Sequence, residues 1–236
     1  MAKTLKIGCS IDKLKQNPHK SFQILNDKIL KGVKRNQEIP AGSFAYELKD
    51  LGDVFENCGQ KSEMNKISKK LAETLVSLKN NELAGVVYSF LVKFNAENPK
   101  VAEEFAINGL AVAKRLKDDV HIVARCIDLK DIYKTHEPNS EKYLKTMYEE
   151  KRALNNIVKD YDSAQKRYNT ISRKMAPKSK YEFLLGSVKV DIAKFLLEKE
   201  PKTALIELRE AKEIFEKLND ERALDKINHL FEKIYK

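Results

Sequence analysis

The sequence predicts an all-α protein built from repeated antiparallel helix hairpins, and three observations carry that prediction. Residues 83–134 and 185–236 read alike at a constant offset of 102 residues without a gap. They share Leu83/Leu185, Val86/Val188, Pro99/Pro201, Lys100/Lys202, Ala102/Ala204, Leu116/Leu218, Asp118/Asp220 and the closing Ile132-Tyr133-Lys134/Ile234-Tyr235-Lys236. These ten identities fall on apolar positions and turn residues, where unrelated Lys-rich sequence gives roughly three or four, so one helical unit is used twice. Only eight Gly and six Pro punctuate the chain, leaving long uninterrupted segments. Val and Ile lie mostly in patterns of period 3.6, which place them on helix faces.

The elements follow in order. Residues 1–18 form a basic lead ended by Asn17-Pro18, and 21–35 carry Phe22, Leu25, Ile29 and Val33 on one face of an amphipathic helix. Ile39-Pro40-Ala41-Gly42-Ser43 is a loop, with Ser43 expected to cap a helix over 44–57 that carries Leu48, Leu51 and Phe55. Ser62-Glu63 opens the next helix, striped by Met64, Ile67, Leu71, Leu75 and Leu78, and Asn80-Asn81 breaks it. Residues 83–96 are so apolar that burial on more than one side is expected.

Pro99 suits the first turn of a helix over 99–117, where its missing amide costs nothing. That helix places Ala102, Phe105, Ala106, Gly109, Ala113 and Leu116 on one side, and the small residues let a neighbouring helix approach closely. Asp119 is the expected cap for 120–134. The second copy repeats this order as 181–199, 201–218 and 221–235.

Between the copies, Met147, Leu154, Tyr161, Tyr168 and Met175 recur every seven residues, with Tyr143, Ile157, Ala164 and Ile171 four before them and Glu150 interrupting that second series. A strict seven-residue repeat fits a coiled-coil seam or an intramolecular helix pair. The pair is favoured, because Asp160-Tyr161-Asp162-Ser163 can turn the chain between two helices.

The net charge of +10 is uneven. Residues 1–35 hold nine basic against two acidic side chains, and 135–180 hold eleven against six. Such segments attract phosphate or an anionic membrane face, but Lys outnumbers Arg 37 to 8, whereas nucleic-acid readers favour Arg for bidentate contacts. Cys9, Cys58 and Cys126 are odd in number and far apart, so disulfides are not expected and a reducing compartment is. The amino-terminal stretch lacks the apolar run of a signal peptide and no window approaches a membrane span, so a soluble, cytoplasmic protein is expected.

Specific residues then carry a family resemblance. Leu48-x-x-Leu51-Gly52-x-x-Phe55, followed by Gly59 at a turn, resembles the first helix of a tetratricopeptide repeat, with Leu for Trp and Phe for Tyr. Ala84-Gly85-x-x-Tyr88 and Leu185-Gly186 fit in part, with Lys189 in place of the aromatic. Leu129-Lys130-x-x-Tyr133 and Phe231-Glu232-x-x-Tyr235 keep the apolar ends but put a charge at the small position. Ala204-x-x-x-Leu208-x-x-Ala211 and Ala102-x-x-x-Ala106-x-x-Gly109 resemble the second helix. The resemblance covers about 45–134 and 180–236. It implies a right-handed α-solenoid, with a basic lead and one helix over 1–42 and the repeat domain over 43–236.

Enzymatic chemistry finds no foothold. No phosphate loop, dinucleotide fingerprint or H-E-x-x-H is present, and His19, His121, His136 and His229 are scattered away from metal-ligand spacing. Ser10-x-x-Lys13 has the spacing of a nucleophile and base, which Lys-rich sequence produces by chance. Glu103-Glu104, Asp118-Asp119 and Glu149-Glu150 are sequence neighbours that point different ways on a helix. No catalytic, cofactor-binding or metal-binding residue is therefore expected, and no cofactor.

The expected function is a non-enzymatic adaptor or scaffold that binds a protein or peptide segment on the concave face of the array. The resemblance places Lys49, Asp53, Ser89, Asp131, Lys134, Lys180 and Ser187 on that face. Their mixed charge suggests a partner with both signs. The alternative is an electrostatic binder of nucleic acid or an anionic surface through 1–35 and 135–180, which predicts a steep loss of binding with salt.

Overall fold

A computed structural model describes residues 17–169 and 175–235. The described residues form eleven helices and no strand. Cys9, Ser10, Lys13, Ile171 and the 1–16 lead lie outside them. The chain divides into two compact units, 1–117 and 118–236, a boundary that falls inside the segment read from sequence as one repeat domain.

In the first unit, α1 (Pro18–Lys34) begins three residues earlier than periodicity suggests, because Asn17 caps it and Pro18 takes the first turn. Its Oδ1 accepts from the Lys20 amide at 3.0 Å. Helix α2 (Ala41–Asn57) also starts early. Ser43 sits exposed inside it and caps nothing, while Pro40 precedes the first turn without a side-chain cap bond. Burial of Ala41 and Phe44 replaces the cap as the reason the helix starts there. Gly59, at φ +69°, makes the turn into α3 (Lys61–Ser77), a backbone conformation that favours glycine.

The expected break falls at 78–80, and Asn80 caps α4 (Asn81–Phe94) by accepting from the Leu83 amide at 3.1 Å. Helix α4 packs against α2, α3 and α5 (Pro99–Leu116), which is why its sequence is apolar on several sides. Leu116, read as part of the α5 apolar face, is instead exposed.

The second unit contains α6 (Asp119–His136), α7 (Glu141–Lys159), α8 (Tyr161–Asn169), α9 (Lys178–Leu196), α10 (Pro201–Leu218) and α11 (Glu221–Tyr235). Helices α6 and α7 pack against each other, as do α9 and α10; short connectors join each pair, so each is a hairpin. Helix α7 also packs on α9, and α10 on α11. The seven-residue stripe ends one helix at Asp160 and starts another at Tyr161, which excludes one continuous helix. Met147, Leu154 and Ile157 bury their side chains, but against α6 and α9 more than against α8.

The internal repeat survives in the helix boundaries. Helices α5 and α10 occupy the same positions at the 102-residue offset, and both end in the left-handed region, at Lys117 (φ 52°) and Asn219 (φ 53°). Asp118 and Asp220 follow, accepting from the His121 amide at 3.2 Å and the Ala223 amide at 3.0 Å. The cap of α6 is thus Asp118, not Asp119, and Asp118 Oδ2 also holds His121 Nδ1 at 2.7 Å.

Two glycines of the family-like motif mark close helix approaches. A Cβ on Gly52 would lie 2.8 Å from the Phe90 ring, and one on Gly186 would lie 2.8 Å from the Phe215 ring. Gly186→Val should therefore overpack the α9–α10 seam and cost about 1–3 kcal/mol, measured by urea unfolding; an unchanged midpoint would contradict the close approach. A second expectation concerns Asp118. Burial acts to raise its carboxyl, but the His121 ring and the amides of His121 and Val120 hold it below its ordinary value. That stabilisation is present above the unfolded value and is lost as pH falls through the lower folded one. Asp118→Asn should cost about 1 kcal/mol at neutral pH, and the difference from wild type should shrink as pH drops below about 4.

Candidate functional site

The second unit carries a groove of about 320 Å³ between α9 and α11, with the end of α10 as its floor. Helix α9 offers Phe183, Ser187, Val190, Asp191 and Lys194, spaced three and four apart and therefore on one face. Helix α11 offers Arg222, Ala223 and Lys226, one turn apart in the same sense. The Phe183 and Phe215 rings meet edge to face at 5.7 Å, and Phe183 is 43% exposed, an apolar surface left open to solvent. Ser187 Oγ donates to the Phe183 carbonyl at 2.9 Å, so its hydroxyl is already partnered.

The two groove acids are engaged as well. Asp220 Oδ1 caps α11 through the Ala223 amide. Asp191 lies 3.7 Å from Lys130 Nζ, which itself holds Glu150 Oε2 at 2.8 Å. By contrast, Lys194, Arg222 and Lys226 form no ion pair among the described residues, and all three are exposed.

Behind the groove runs a chain of charges through four helices. Lys130 on α6 joins Glu150 on α7 and Asp191 on α9. Lys151 on α7 joins Glu207 on α10, and Lys189 on α9 joins both Glu207, at 3.4 Å, and Glu210. Glu150 is 1% exposed, Lys189 4% and Glu207 4%. Burial alone would lower the Lys130 ammonium, but Glu150 and Asp191 hold it above its ordinary value. Burial likewise pushes the Glu150 carboxyl up, with Lys130 opposing. Lys130, Glu150 and Lys189 interrupt otherwise apolar patterns in the sequence, and each of these three interruptions has its explanation in a partner on another helix. Glu232, the fourth, pairs with His229 on its own helix.

Of the seven residues expected on a concave face, Ser187 lines the groove. Lys49 and Asp53 are exposed one turn apart on α2, and Ser89, on α4, donates to the Gly85 carbonyl at 2.9 Å. Asp131 and Lys134 are exposed on α6, and Lys180 is exposed at the start of α9. No hydrogen bond or ion pair joins any two of the seven among the described residues. Sequence reading missed Phe183, Asp191, Lys194, Phe215, Arg222 and Lys226. The signal that finds them is the difference between the two copies: Lys194, Arg222 and Lys226 stand where the first copy has Val92, Val120 and Ala124.

Four basic residues of the 135–180 segment are paired: Lys142 with Glu137, Lys145 with Glu141, Lys151 with Glu207 and Arg152 with Glu149. Among the described residues, no group of three or more His, Cys, Asp or Glu side chains is placed to hold a metal ion, and no helix is long and apolar enough to cross a membrane. Cys58 is exposed and Cys126 buried.

No family model and no curated protein matches this chain. Among solved structures it is similar to BtubC (BKLC) from P. vanneervenii, at 12% identity and a TM-score of 0.31, over 90% of this chain and 94% of that one. A likeness at this level adds nothing to the fold described above.

The buried charge chain makes a direct prediction. Lys189→Met leaves the buried Glu207 with Lys151 alone and should cost about 3–5 kcal/mol, whereas Lys189→Met with Glu207→Leu should recover most of that loss in urea unfolding. A double-variant loss equal to the sum of the separate Lys189→Met and Glu207→Leu losses would show that the two charges are not coupled.

Proposed function

We propose that the hairpins belong to right-handed, tetratricopeptide-like stacks and that the chain is a non-enzymatic adaptor acting in the cytoplasm. The groove between α9 and α11 holds an extended segment of a partner protein. The observation that carries this reading is an open groove with the exposed Phe183 ring, whose Lys194, Arg222 and Lys226 form no ion pair among the described residues. Phe183 gives a partner side chain an apolar seat, and the charges on both walls set its register.

The 183–194 stripe spans about 16 Å along α9, which matches roughly five residues of extended peptide. A footprint of that size suits transient capture of a short segment rather than an obligate interface.

Filling the groove tests the proposal. Ser187→Trp, on the solvent side of α9, should leave helicity unchanged while reducing partner recovery about tenfold in quantitative affinity purification against wild-type bait. Recovery of the same partners at wild-type levels would move the binding face elsewhere. Binding that instead collapses as salt is raised, with Ser187→Trp neutral, would favour the electrostatic alternative through 1–35 and 135–180.

A further inference from the structure

Two copies of one sequence unit share turn and capping residues such as Ala102/Ala204, Pro99/Pro201 and Asp118/Asp220. At three positions where they differ, the first copy has the apolar Val92, Val120 and Ala124 and the second has Lys194, Arg222 and Lys226. All three cations line the groove, and none is neutralised by a described carboxylate.

The acids of the same groove are committed to the fold. Asp220 is taken by the first turn of α11, and Asp191 by Lys130 from behind. The α11 amino terminus is therefore closed to an incoming anion by its own cap, and any anion must meet side chains instead. What the groove offers a visitor is the exposed Phe183 ring, backed edge to face by the buried Phe215, and three cations that form no ion pair among the described residues.

We propose that the α9–α11 groove takes an acidic linear segment in which an apolar or aromatic side chain, seated on Phe183 and Phe215, is accompanied by carboxylate side chains that meet Lys194, Arg222 and Lys226. This rests on the groove reading above and adds the chemistry of its occupant. The rings lie toward the start of α9, where Gly186 admits Phe215, and Lys194 lies two to three turns further along. The apolar anchor and at least one carboxylate are thus separated along the segment, not adjacent to the same contact. Arg222 and Lys226, one turn apart on α11, face the carboxylates from the opposite wall.

Fluorescence anisotropy on the full chain tests this with three labelled synthetic peptides of equal length. One alternates Phe with Glu, the second alternates Phe with Lys, and the third replaces Phe by Ser in the acidic series. The Phe/Glu peptide should bind about tenfold or more tightly than either of the others. Arg222→Glu with Lys226→Glu should reverse the preference, while the same charge change at Lys66 and Lys70, exposed on α3, should leave it intact. Circular dichroism of each variant confirms that the exposed substitutions spare the fold. Tighter binding of the Phe/Lys peptide, weakened by Phe183→Ser, would overturn the acidic preference and leave the groove standing. Binding of the acidic peptide that Phe183→Ser and the double reversal both leave unchanged would overturn the groove itself.

Discussion

Glu150, Lys189 and Glu207 are ionisable side chains almost sealed from water, and the second unit gives each of them a partner of opposite type. A lone buried charge costs several kcal/mol, more than any single cap or surface pair supplies. Each of these groups finds its counter-charge on a different helix, so α6, α7, α9 and α10 are held in one register. A slip of one helix by a turn, about 5.4 Å, would break every pair that helix makes. An apolar seam of Leu, Ile and Ala would tolerate such slips far better. The orientation of α9 follows from this constraint, and with it the stripe that faces α11.

The first unit solves the same packing problem by shape. Gly52 lets the Phe90 ring close on α2, and Gly59 turns the chain into α3 by adopting a conformation that other residues resist. The second unit repeats the close approach at Gly186 and Phe215 and adds the charge chain. Small residues bring helices together in both units, and the second also carries the α9–α11 groove with its cations unpaired among the described residues.

Much of the fold is legible in the sequence because its signals are local. Pro99 and Pro201 open helices where expected, and the 102-residue repeat foretells matched helix ends down to the left-handed Lys117 and Asn219. Local signals also mislead. Ser43 has the chemistry of a cap, yet α2 starts at Ala41 because burying Ala41 and Phe44 outweighs a hydrogen bond of about 1 kcal/mol. The site was harder to see. Lys130, Glu150 and Lys189 read as blemishes in apolar patterns because the sequence does not display partners on other helices. Phe183, Arg222 and Lys226 read as ordinary surface, since only the packing of α9, α10 and α11 gathers them.

The central claim, that the α9–α11 groove is where this chain holds its partner, has a direct physical test. An acidic, Phe-containing peptide bearing a photoreactive diazirine is irradiated with the intact protein, and the adducts are mapped by mass spectrometry. Adducts confined to 183–194 and 215–226, and suppressed by excess unlabelled peptide, are the expected result. Adducts concentrated on the Lys-rich α7 surface or on the first unit, with none in the groove, would contradict it.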